Sequence, residues 1–127
     1  MKLALDTNRY TDFARGAADV LEVVRRADEI VLPFVVVAEL RAGFRAGTLS
    51  RANETKLAGF LGESRVSMIW PDEGTTHVYA DLFAHLRRAG HPIPTHDLWI
   101  AAVCVQHALP LYTRDSHFGH VPGLARL

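Results

Sequence analysis

Four short apolar runs are spaced along this 127-residue chain, with helix-patterned stretches between them. The first is Leu3–Leu5 within Lys2–Asn8 (KLALDTN), and it runs straight into Asp6. Glu29–Pro33 (EIVLP), Val66–Trp70 (VSMIW) and Leu109–Tyr112 are the others, each ending in proline or polar turn chemistry. Compact apolar runs cut off in this way read as buried strands. Strands that alternate with helices imply parallel pairing, right-handed crossovers and a sheet covered on both faces. In such sheets ligands sit beyond the carboxyl ends of the strands, so the residues just past each run matter most.

The intervening stretches carry apolar residues at helical spacing. Arg9–Arg15 predicts a short helix stopped by Gly16, and Ala17–Ala27 a second with Val20, Leu21 and Val24 inward. Val35–Ala46 predicts a third, although its three valines favour strand locally. Ser50 predicts an N-cap for a helix through Gly62. Thr75 or Thr76 predicts the cap of a longer helix to Ala89, with Val78, Tyr79, Leu82, Phe83 and Leu86 as one buried stripe and Gly90 as its stop. Thr95 predicts a cap for Asp97–His107, which is apolar almost all round and therefore buried. Gly123–Leu127 is a candidate fifth strand.

Composition narrows the class. Hydrophobic residues make up 49% and charged residues 22%, an ordinary globular balance. Fourteen basic and fourteen acidic residues cancel, so no global field advertises a polyanionic partner. A lone Cys104 excludes an internal disulfide framework. The N-terminal apolar run is broken at Asp6, unlike a signal peptide, and no stretch approaches the roughly 20 apolar residues of a membrane span. These features predict one cytoplasmic domain over residues 1–127.

Four acids stand where the sheet edge is expected. Asp6 closes the first strand, Glu39 lies about one turn into the helix after the second, Asp97 opens the buried helix, and Asp115 follows the last strand in YTRD. Singly each has an ordinary reading as a helix cap, solvated helix residue, first-turn acid or turn residue. Jointly they point at one edge. Two unit charges about 4 Å apart repel by roughly 4 kcal/mol at an effective dielectric near 20. A fold that gathers such charges needs a cation, and hard divalent ions such as Mg²⁺ take oxygen ligands. That chemistry suits hydrolysis of phosphodiesters.

LDTN near the start, AEL in the middle, HDLWIAA late and YTRDSHF followed by VPGL at the end resemble a PIN domain, and within it the VapC-type ribonuclease toxins of type II toxin–antitoxin pairs. The resemblance spans nearly the whole chain in order and spacing. It implies an α/β fold with a central parallel sheet of four to five strands flanked by helices on both faces. It implies that Asp6, Glu39, Asp97 and Asp115 form the catalytic site, that Asp6, Asp97 and Asp115 bind Mg²⁺ or Mn²⁺, and that Thr113 and Asn8 support it. It further implies cleavage of an RNA substrate, a homodimer, and a cognate VapB-type antitoxin as partner.

His117 and His120 suggest zinc but lack thiolate partners. Trp70 and Trp99 read as core. Arg41, Arg45, Arg51, Arg87, Arg88 and Arg114 are candidate phosphate contacts whose ordinary reading is a solvated helix face. A receiver domain shares the size and an Mg²⁺-binding acid cluster. It requires a paired acid at the first strand and a late lysine, whereas the only lysines here are Lys2 and Lys56. A catalytically silent PIN-like binding module is the remaining alternative.

Overall fold

Lys2–Leu5 forms β1, and Leu3, Ala4 and Leu5 are all fully buried. A strand covered on both faces has no polar side to alternate with, which is why its sequence is continuously apolar. In the computed structural model, which describes residues 1–127, the chain continues through α1 (Thr7–Ala14), α2 (Ala18–Arg26), β2 (Glu29–Pro33), α3 (Phe34–Ala46) and α4 (Ser50–Leu61). Then follow β3 (Val66–Ile69), α5 (Glu73–Arg88), α6 (Thr95–Gln106), β4 (Leu111–Tyr112) and a short 3₁₀ turn over Ser116–His120. All strand pairs are parallel, in the order β3-β2-β1-β4. Ala4 lies between Val31 of β2 and Leu111 of β4. The chain winds outward from β1 to β3, then crosses back to place β4 on the other side of β1. The winding therefore reverses between β1 and β4, and the crevice at such a reversal is where α/β sheets bind ligands.

β2 passes into α3 without a loop. Pro33 occupies the N-cap position with no side-chain cap, and Val35, Val36 and Val37 are helical and buried. Tertiary burial overrides their strand preference. The all-apolar α6 packs against α5 and α3, with Ile100, Ala101 and Ala102 fully buried.

Several local expectations are corrected. α1 starts at Thr7, earlier than Arg9, because Asp6 caps it. Neither Thr75 nor Thr76 caps α5: Asp72 does, in a reciprocal box with Thr75, and Thr75 becomes a fully buried third residue of the helix. Ser50 and Thr95 are first helical residues behind Leu49 and Pro94, which supply no side-chain cap. Phe83 leaves the buried stripe and is 48% exposed, stacked on Tyr79. Trp70 is not core: β3 is an edge strand that ends at Ile69, which leaves Trp70 62% exposed, stacked on Phe34. Trp99 is half-buried against Tyr79. The fifth strand shrinks to one bridge, Leu111 to Arg126. Gly90, at φ +78°, turns the chain out of α5 as its position predicts.

Candidate active site

Asp6 stands at the reversal between β1 and β4 and is 4% exposed. Its carboxylate is held on both oxygens. Oδ1 accepts from the Thr7 amide (2.8 Å), while Oδ2 accepts from the Thr113 hydroxyl (2.7 Å) and the Asn8 side-chain amide (3.1 Å). The Thr113 hydroxyl also accepts from the Asp115 amide at 3.0 Å. One buried hydroxyl thus ties the acid after β1 to the loop after β4. Asn8 strengthens the same tie, since its Oδ1 accepts from the Arg114 amide (3.3 Å).

Burial raises the Asp6 pKa most, the three donors lower it, and the Asp115 charge raises it again. Asp97, in the first turn of α6, is likewise raised chiefly by burial. Its hydrogen bond with His117 opposes this, and Asp115 and Asp6 add to it. Glu39, one and a half turns into α3, is raised by burial, eased by His96, and raised by Asp6 and Asp97. Asp115 thus bears on Asp6 and Asp97, and Asp6 and Asp97 bear on Glu39, although these acids come from separate elements.

Asp115 caps the 3₁₀ turn, its Oδ1 accepting from the His117 amide at 2.9 Å. That turn brings the His117 ring back over the acids. Nδ1 lies 3.2 Å from Asp97 Oδ2 and 3.2 Å from Asp115 Oδ1. The ligand atoms of Asp97, Asp115 and His117 all fall within 4.8 Å of one another. His117 belongs to this group and not to a zinc set with His120, which stacks on His91. Cys104 is buried inside α6 with its thiol pushed up to about 12 by burial, so it supplies no thiolate.

The donor set suits a divalent cation. No lysine or arginine pairs with any of the four acids. Glu39 Oε1 is buried and has no hydrogen-bond partner. A buried, unsatisfied carboxylate oxygen beside like charges is costly unless a cation meets it. Of the arginines singled out, Arg114 lies beside the site, paired with Asp12 (3.2 Å), while Arg41 is paired with Glu54 (2.8 Å). Arg45, Arg51, Arg87 and Arg88 are exposed. Glu39 also separates two clefts, one lined by Tyr10, Phe44 and Lys56, the other by Phe34, His96 and Trp99. Sequence reasoning missed His117 as a neighbour of the acids. The signal available was its position two residues after Asp115, the spacing of a side-chain-capped turn.

Comparison with known proteins gives the same picture. The family model described as PIN domain matches residues 3–124. Ribonuclease VapC5 of Mycobacterium tuberculosis is 32% identical over 107 residues, covering 80% of this chain and 79% of that protein. Ribonuclease VapC4 of the same organism is 30% identical, covering 69% and 68%. Among solved structures, VapBC2 from Rickettsia felis, bound to a DNA fragment from its promoter, superimposes with a TM-score of 0.86 at 27% identity, covering 100% of this chain and 98% of that one. The strand order, the acids at the sheet reversal and a match over nearly every residue lead to one conclusion: the chain belongs to the PIN domain family.

Proposed function

We propose that this chain is a divalent-metal-dependent endoribonuclease, the toxin of a type II toxin–antitoxin pair. The observation that carries the chemistry is the buried, partnerless Glu39 Oε1 among acids that no lysine or arginine neutralises. The relatives named as ribonucleases supply the substrate class. Asp6, Asp97 and Asp115 hold Mg²⁺ or Mn²⁺. Thr113 and Asn8 fix the Asp6 carboxylate. Glu39, whose raised pKa suits a proton acceptor, orients the attacking water and takes its proton. An ion bound there supplies Lewis acidity to the scissile phosphate and its leaving oxygen. The two clefts that Glu39 lines give an RNA strand room to lie beside that residue. A cognate VapB-type antitoxin is the partner, the toxin is a homodimer, and the pair works in the cytoplasm. No helix is long and apolar enough to cross a membrane.

Two other readings lose ground. A receiver-type sheet runs in the order 2-1-3-4-5, which β3-β2-β1-β4 does not match. A silent binding module has no use for three acids of raised pKa gathered around an unpaired carboxylate oxygen. The test is cleavage of RNA with a single 2′-deoxy substitution at the cut site. In-line attack by water uses no 2′-hydroxyl, so the substrate is still cut, leaving a 5′-phosphate and a 3′-hydroxyl, and chelation stops the reaction. Blocked cleavage with binding intact would refute the water mechanism.

A further inference from the structure

The imidazole of His117 takes no part in the reading above, yet it sits where an ion belongs. Its Nδ1 is 3.2 Å from a carboxylate oxygen of Asp97 and 3.2 Å from one of Asp115. These two acids come from separate elements, the first turn of α6 and the loop after β4. One imidazole nitrogen carries at most one proton, so it satisfies one of those acceptors well and not both. Without an ion it hydrogen-bonds Asp97, and the same three ligand atoms are spaced for coordination. Ligands about 2.1 Å from an ion lie about 3.0 Å apart along an octahedron's edge, close to both separations. The backbone that carries the ring is fixed, since the Asp115 side chain accepts the His117 amide and caps the turn. Independently, Glu39 Oε1 is buried without a partner, which calls for a cation in the same neighbourhood.

We propose that His117 is a metal ligand through Nδ1, making the centre a mixed nitrogen and oxygen site that takes Mn²⁺ and related transition-metal dications in preference to Mg²⁺. The inference rests on the metal-dependent reading above and adds to it a ligand and a selectivity. Imidazole adds little for Mg²⁺, a hard ion that favours oxygen and water, and more for first-row transition metals. The coordinating form is the tautomer with its proton on Nε2, on a side chain that is 51% exposed.

The experiment uses the whole chain with Mn²⁺ or Mg²⁺ alone, without RNA, so that cleavage is not the readout. In titration calorimetry, His117→Ala weakens Mn²⁺ binding by about 10- to 100-fold and Mg²⁺ binding by about 2-fold or less. Pulsed EPR of the Mn²⁺-loaded chain shows ¹⁴N modulation from a coordinated imidazole, and His117→Ala removes it. His120→Ala, whose ring stacks on His91, leaves both signals as they were. Unchanged or tighter Mn²⁺ binding in His117→Ala, or no ¹⁴N coupling in the unsubstituted chain, overturns the ligand assignment. If Asp97→Asn still abolishes Mn²⁺ binding in that case, the acidic site survives without His117. If the unsubstituted chain binds no Mn²⁺ at all, the metal-dependent reading falls with it.

Discussion

Asp6 and Asp72 occupy the same local context. Each follows a parallel strand of the sheet, and each caps the helix that comes next. Their surroundings take them in opposite directions. Asp72 is exposed and is held by the Gln106 amide (2.8 Å) and the Thr75 amide (3.1 Å), and these bonds set its pKa below the ordinary range. Asp6 has as many donors, yet burial and the charge of Asp115 raise it. A strand, an acid and a helix in sequence thus do not define a site. A second and third acid delivered to the same spot by other elements define it, with no lysine or arginine paired to them. Asp72 contributes stability at the edge of the fold, whereas Asp6 and its neighbours crowd like charges at the sheet reversal.

The sharpest way to break this contrast is to neutralise one acid of each kind. Asp97→Asn should lower RNA cleavage by on the order of 10³-fold or more, since the metal site loses a charged ligand. Its metal-free melting temperature should hold or rise, because a like charge is removed from beside Asp6, Glu39 and Asp115. Asp72→Ala should do the reverse, with cleavage within about 2-fold and a melting temperature lower by about 2–5 °C from the lost cap. A large melting loss in Asp97→Asn would make that acid structural and erase the distinction.

A smaller effect is expected at Thr113, which belongs to both worlds. It is a fully used hydrogen-bonding residue, donating to Asp6 and accepting from Asp115, and it acts only by placing the acids. Thr113→Val keeps the shape and removes both bonds. Cleavage should fall by about 10- to 100-fold, with Mn²⁺ affinity falling in parallel, and Thr113→Ser should restore most of both. If the valine variant melts lower yet binds Mn²⁺ normally, the hydroxyl serves the fold alone.

The two kinds of acid also differ in how far they were legible in the sequence. The alternation of apolar runs and helical stretches gave the layered architecture, because burial on both faces leaves a strand no freedom to be anything but apolar. Asp6, Asp97 and Asp115 stood at strand ends or in a first turn and Glu39 a turn and a half past β2, so sequence position alone aimed them at one edge. Caps were less legible. Near α5, Asp72, Thr75 and Thr76 are all competent, and the choice fell to Asp72 through Gln106, a residue 34 positions away. His117 was hidden for a similar reason. Its meaning depends on Asp97, which the chain brings to it from another helix. Trp70 was misjudged because hydrophobicity does not say that a strand is at an edge.

The subtlest consequence is the dependence of stability on pH. A carboxyl whose folded pKa lies above its unfolded value binds its proton more tightly when folded. Asp6, Glu39 and Asp97 are of this kind, so ionising them costs stability as pH rises through their raised values, and acidification from neutrality relieves that cost. Asp72 has the opposite sign: its contribution is present above its ordinary pKa and is lost only as pH falls through its lowered one, well into acid. The trio therefore acts between the ordinary carboxylate pKa, about 4, and its raised values, whereas Asp72 acts below that range. Histidines titrate in that window as well, so the informative quantity is a difference between variants. Without metal, the melting temperature of the parent chain should gain about 2 °C or less relative to Asp97→Asn as pH falls from neutrality towards about 4, since the variant has already shed one charge and eased the other two. Saturating Mn²⁺ should remove that gain, because the ion neutralises the acids that protons otherwise would. Parallel pH curves for the parent and Asp97→Asn, with and without Mn²⁺, would mean that the acids at the sheet reversal do not feel one another, and Asp6 would then differ from Asp72 only in being buried.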